Sequence, residues 1–174
     1  MKEEKIKCGG TVYGEGPYTI DDVTTGAVII LRSAATPEVA VMHLDEMDAP
    51  NPYELVEGLL RQFIERSGVG GGVSPDNIEA LLIGGNFREN RATEEGVMVY
   101  VDHALTKEKA EEALKVCGLR VTYLETDVQA TKTVKVDKAG SVHIDEQRRG
   151  LNKHDAIKSE TDYYMLIGKY HDIG

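Results

Sequence analysis

The sequence predicts an α+β fold, a mostly antiparallel β-sheet sandwich with two main helices. Three observations predict it. Residues 27–32, 39–44 and 78–83 are short β-branched apolar runs of strand length. Residues 56–64 carry apolar side chains at helical spacing, and Thr106 and Gly118 bracket a second helix over 107–117. The connection 33–38 contains Pro37, which denies the turn a backbone donor and marks a hairpin rather than a crossover.

Taken in order, residues 1–20 are charged and then rich in glycine (Gly9, Gly10, Gly14, Gly16), which suggests a flexible arm with at most one short strand around 11–13. The single domain is expected to occupy residues 21–174. Residues 27–32 and 39–44 form the first hairpin. Asn51 is a favoured helix N-cap and Pro52 fits the first helical position. Val56, Leu59, Leu60, Phe63 and Ile64 then make one apolar stripe, which packs on a sheet. The glycines at 70–72 lack the Lys-Ser/Thr of a phosphate-binding loop and read as a linker, so no nucleotide is implied. A strand at 78–83 ends in Gly84-Gly85, and another covers 97–101. Thr106 is placed to cap a helix over 107–117 that Gly118 stops. Strands at 119–126, 131–136 and 141–144 follow, the last two joined by the turn Asp137-Lys138-Ala139-Gly140. Residues 145–160 are polar and read as a loop, and 163–167 closes with a final strand.

Composition excludes several classes. At 174 residues the chain can bury roughly 70% of its unfolded surface without metal or disulfide. The net charge of −10, from 20 basic and 30 acidic side chains, leaves only a sparse basic patch (Arg148, Arg149, Lys153, Lys158), so neither nucleic acid nor an anionic membrane is expected as partner. No apolar run approaches the roughly 20 residues of a membrane span. The N-terminus lacks the apolar region of a secretory signal. Cys8 and Cys117 show no CxxC spacing and suit a reducing compartment, so a soluble cytoplasmic protein without cofactor or metal is expected.

Chemistry points to one place. The acidic, threonine-rich turn Asp21-Asp22-Val23-Thr24-Thr25-Gly26 feeds the first strand, and His43 lies near the end of the second. Antiparallel pairing brings Gly26 and His43 together, with Thr24 and Thr25 as the nearest hydroxyls. His43, Asp45, Glu46 and Asp48 could alternatively converge on a hard cation, although their spacing matches no established metal motif. His103, His143, His154 and His171 have no motif context.

The stretch from Thr24 to Arg32, with His43 and then Ile83-Gly84-Gly85, resembles the core of eukaryotic protein N-terminal asparagine amidohydrolase, where a Thr-Thr-Cys turn opens a similar strand. It also resembles the chemoreceptor glutamine deamidase CheD, in which a Gly-Ser-Cys turn and a histidine stand at the spacing of Gly26 and His43. That resemblance continues through residues 110–118 and 126–134 to Asp137 and Gly140. It implies a cysteine deamidase fold in which cysteine attacks a side-chain carboxamide, histidine activates the thiol and backbone amides hold the oxyanion. It places His43 at the general base, Thr25 before the nucleophile and Gly26 at the cysteine itself. Thr24, Gly84, Gly85, Asn86 and Arg88 become candidate substrate contacts. The supporting threonine of CheD falls on Ile20, with Thr19 beside it.

Glycine cannot form a thioester. The favoured expectation is therefore a degenerate or disabled amidohydrolase that recognises a protein Asn or Gln carboxamide or terminus. An active deamidase is the alternative, with a native cysteine at position 26, or with Thr25 or Cys8 as nucleophile. A non-catalytic signalling module is the third class.

Overall fold

We describe a computed structural model of the chain, covering residues 3–45, 51–67, 74–92, 95, 98–102 and 105–148. The centre is a five-stranded sheet in the order β2 (Thr11–Gly14), β5 (Thr36–Leu44), β4 (Ala27–Ser33), β6 (Ile78–Gly84), β9 (Arg120–Leu124). Ala27, Val28, Ile29, Ile30 and Leu31 are all fully buried. Such an unbroken apolar run, without polar alternation, is what a strand covered on both faces requires.

The two faces have different covers. Ala27, Ile29 and Leu31 pack with Met42, Leu82 and the helices α1 (Tyr53–Arg66) and α2 (Leu105–Val116), which contribute Val56, Leu59, Phe63 and Leu114. Val28 and Ile30 face the other way. They meet Ile20, Val23, Val134 and Val136 of a second sheet, ordered β1 (Glu4–Lys5), β3 (Tyr18–Val23), β10 (Ala130–Val136), β11 (Val142–Arg148). The hairpin of β7 (Arg88–Ala92) and β8 (Met98–Asp102) pairs only with itself among the described residues.

The architecture is thus α+β with two helices and mixed sheets. Antiparallel pairs dominate, but β6 and β9 run parallel because α2 lies between them in the chain, and β1 and β3 are also parallel. Among the described residues no helix is long and apolar enough to cross a membrane.

Several elements differ from expectation for identifiable reasons. Residues 4–14, expected to hold at most one short strand, carry β1 in one sheet and β2 in the other. Strand β3 was not anticipated, since a bulge at Asp21-Asp22, opposite Thr133, breaks the period-two pattern by which strands are recognised. Pro37 lies inside β5, between the pairs Ser33↔Thr36 and Arg32↔Val39, where the irregular register demands no ladder donor. Helix α1 starts one residue late: Pro52 is the N-cap, its carbonyl accepting the Val56 N–H at 2.9 Å. Thr106 is no cap; it sits within α2, fully buried. β11 runs on to Arg148 across residues read as loop, a charged strand at the edge of its sheet. The turn at 137–140 is as expected, with Gly140 at φ +83° and its N–H on the Asp137 carbonyl at 3.0 Å. Residues 70–72, the basic groups from Arg149 onward and the strand expected at 163–167 lie outside the described residues.

Gly58 lies within α1, and a Cβ added there meets nothing within 4 Å. Gly58→Ala is therefore expected to raise the unfolding free energy by about 0.5–1 kcal/mol, because alanine has less backbone freedom to lose in a helix. The urea midpoint measures it.

Candidate functional site

The hairpin places Val28 opposite His43 and Ala27 opposite Leu44, so the turn entering β4 sits against the end of β5. A cavity of about 530 Å³ opens there. Thr24, Thr25, Gly26 and His43 line it. Asp21 and Asp22 reach it from the bulge in β3, Asp45 from just past β5, and residues 5–8 from the N-terminal segment. Thus Thr24, Thr25, Gly26, His43 and Cys8, singled out in the sequence, line one cavity.

Gly84-Gly85 meets the Gly26 turn outside the cavity lining. Gly85 N–H donates to the Gly26 carbonyl at 3.1 Å, and Gly84 and Gly85 adopt φ of +76° and +74°, a left-handed backbone suited to glycine. Gly84 and Gly85 sit against the Gly26 carbonyl, and neither they nor Asn86 line the cavity. Asn86 is buried, with Oδ1 lacking a hydrogen-bond partner among the described residues. The backbone of Arg88 opens β7, and its side chain lies outside the described residues, as do Glu46 and Asp48 of the alternative cation cluster.

Position 26 is the tightest point. A Cβ there would stand 3.4 Å from His43 Nε2 but only 2.5 Å from the Leu44 carbonyl oxygen. Glycine lets the turn and β5 approach this closely. Thr24 is tied down: its hydroxyl meets that of Thr131 at 3.1 Å and the Asp22 carbonyl at 3.4 Å.

His43 is 3% exposed, and its Nδ1 has no hydrogen-bond partner among the described residues. Burial lowers its pKa below the usual value, and the Asp45 and Asp22 carboxylates partly oppose that. Since the ordinary histidine value is about 6.5, the imidazole is neutral at pH 7. Asp22 holds φ at +56°, unusual for a residue with a side chain. The bulge thereby presents two successive aspartates to one cleft, both exposed. Lys5 Nζ sits 3.6 Å from Asp21 Oδ2, an exposed pair that adds little stability.

Sequence reasoning missed the acidic rim and a buried lysine. The Asp-Asp pair was visible as part of the turn, yet only the bulge brings both residues to the cavity. Lys132, read as an ordinary strand residue, is fully buried.

No protein-family model and no curated protein matches the chain. Among solved structures it is similar to the Bacillus licheniformis hypothetical protein YfiH, with a TM-score of 0.48 and 11% identity, covering 68% of this chain. The chain spans about half the length of that protein, 51% of it.

Proposed function

We propose that the cleft at Gly26 and His43 recognises a protein Asn or Gln carboxamide or a terminus, as a degenerate amidohydrolase whose chemistry at position 26 is disabled. The observation that carries this reading is the place of the missing side chain: a Cβ on Gly26 would stand 3.4 Å from His43 Nε2, beside the nitrogen that could serve as base to a thiol there. The same Cβ meets the Leu44 carbonyl, so the cleft retains the base without room for the nucleophile.

Charge supports the choice of ligand. Asp21, Asp22 and Asp45 outnumber Lys5 and Lys7 around the cavity. A neutral carboxamide donates and accepts hydrogen bonds without meeting that excess, whereas the corresponding carboxylate is repelled and a terminal ammonium is attracted. His43, neutral and with an unpartnered Nδ1, adds a group of either hydrogen-bonding sense according to its tautomer.

The expected result, by isothermal titration calorimetry, is that Asn- or Gln-bearing peptides bind at least about tenfold more tightly than their Asp or Glu counterparts, the scale of one disfavoured like-charge contact. Replacing Asp21, Asp22 and Asp45 together by asparagine is expected to erase the difference, while His43→Ala weakens the binding of amide and acid alike. Equal binding of amide and acid would overturn the assignment.

A further inference from the structure

Position 26 is closed to a side chain, but the cleft contains a thiol from elsewhere. Cys8 lines the same cavity as His43 and Gly26. Its place is set by a turn over residues 7–10, in which Gly10 N–H donates to the Lys7 carbonyl at 2.8 Å and Gly9 takes φ +80°. A positive φ at the third residue is the mark of a type II turn, and it leaves Cys8 at the second, at the tip.

That turn is joined to the strand bearing the imidazole. Gly9 N–H donates to the His43 carbonyl at 2.8 Å, and His43 N–H donates to the Gly10 carbonyl at 3.0 Å. Two residues of the N-terminal segment therefore face one residue of β5, as in a β-bulge, which redirects the chain over the cleft. Residues 8–10 are held against His43 by two backbone bonds rather than draped near it.

His43 is the independent sign that the cleft takes a ligand. It is 3% exposed, lines the cavity, and keeps a buried Nδ1 without a partner among the described residues. A buried imidazole with an unanswered nitrogen costs stability unless something answers it in use.

We propose that Cys8 is the nucleophile of this cleft, with His43 as its base and a protein carboxamide as the electrophile. This rests on the carboxamide reading above and moves the thiol from position 26 to position 8. His43 takes the thiol proton, and the sulfur attacks the carboxamide carbon, forming a C–S bond as the carbonyl electron pair moves to oxygen. The imidazolium returns its proton to nitrogen, the C–N bond breaks and ammonia leaves, giving a thioester on Cys8. Water, deprotonated by His43, attacks the thioester carbon; the C–S bond breaks, the sulfur recovers a proton, and the acid is released. No redox partner is needed.

The electrostatics suit a base that works near neutral pH. Burial keeps the imidazole unprotonated, while Asp22 and Asp45 favour the imidazolium once it forms. Lys5, Lys7 and Asp21 are the other charged groups around the cavity. Cys117 provides an internal comparison: it packs against the helix-covered core, where burial and Glu57 push its thiol pKa up.

The test uses the full chain in two assays. In the first, iodoacetamide alkylation is followed at each cysteine by mass spectrometry. His43→Ala is expected to slow Cys8 at pH 7 by about tenfold or more, leaving Cys117 unchanged. An unchanged Cys117 rate also certifies the fold of the variant. In the second, native chain incubated with Gln- or Asn-bearing peptides is expected to release ammonia and to carry a thioester on Cys8, with both signals falling at least about 100-fold in Cys8→Ser and surviving in Cys117→Ser. Alkylation of Cys8 indifferent to His43→Ala overturns the pairing. Ammonia release that survives Cys8→Ser, or that is lost only in Thr25→Ala, overturns Cys8 as nucleophile. Amide binding without ammonia release overturns this proposal and leaves the recognition reading standing, whereas absence of both overturns the two together.

Discussion

Gly26→Cys is expected to unfold at lower denaturant than the native chain, by about 1–3 kcal/mol, the range found when extra atoms are forced into a packed site. The added Cβ would lie 2.5 Å from the Leu44 carbonyl oxygen, closer than two such atoms tolerate. Leu44 cannot move cheaply, because it is 1% exposed and its backbone pairs with Ala27 at the next rung of the ladder. The turn cannot retreat easily either, since the Gly26 carbonyl accepts from Gly85 N–H. Equilibrium urea unfolding of the variant beside Gly58→Ala makes the comparison sharp, one glycine having no room for a Cβ and the other ample room. A Gly26→Cys chain as stable as the native one would mean that β5 yields readily, and a cysteine at this position would then fit without cost. Destabilisation instead marks the glycine as part of this protein's own packing.

Lys132→Met is expected to stabilise the protein by about 1–4 kcal/mol at pH 7, the scale on which apolar side chains replace buried charges. Lys132 is fully buried on the inner face of β10, in line with Ala130, Val134 and Val136, and its Nζ has no hydrogen-bond partner among the described residues. The register sets Val23 on one side and Glu146 on the other. Burial lowers the lysine pKa, while Glu146 and Asp127 oppose the shift without overcoming it. The sign of the pH dependence follows. The unfolded chain, with its lysine near 10.4, binds a proton that the folded chain holds less tightly. Native stability is therefore penalised below the folded pKa and recovers as pH rises from there toward 10.4. The gap between Lys132→Met and native chain is expected to narrow as pH is raised from 7 to 10, followed by urea midpoints at each pH. A gap that is constant or widens would show that the lysine keeps its ordinary proton affinity in the fold.

The residues at and beside position 132 also show how far the sequence could be read. Thr131 to Val136 has the alternation of a strand with one face inward, and β10 forms there. The same alternation puts Lys132 on the inward face, yet a lysine there reads as an exposed residue, because sequence patterns assume that charge seeks water. Whether its stem and ammonium are covered depends on the neighbouring strands and not on residues 130–136.

The first hairpin was legible for a related reason. Residues 27–32 are apolar at nearly every position, and such runs have few alternatives to a doubly covered strand. The pairing of β4 with β5, and with it the meeting of Gly26 and His43, follows from adjacency and a short connection. Helix α1 was legible because amphipathic spacing is local, and α2 because the glycine that stops it, Gly118 at φ +80°, is a local signal too. β1, β3 and β7 were not. The first spans two residues, the second is broken by its own bulge, and the third, Arg-Glu-Asn-Arg-Ala, has no apolar face to announce it.

By itself the sequence determined the α+β class, the central strands, both helices and the approach of Gly26 to His43, because each depends on periodicity within a segment or on pairing between neighbours. Only the tertiary structure decided what surrounds that histidine. The two bulges that bring Asp21, Asp22 and Cys8 to the cleft, and the Leu44 carbonyl that closes position 26 to a side chain, arise where segments distant in sequence are pressed together. Local residue patterns specify a strand and its faces; the spacing between backbones in contact is set by packing alone.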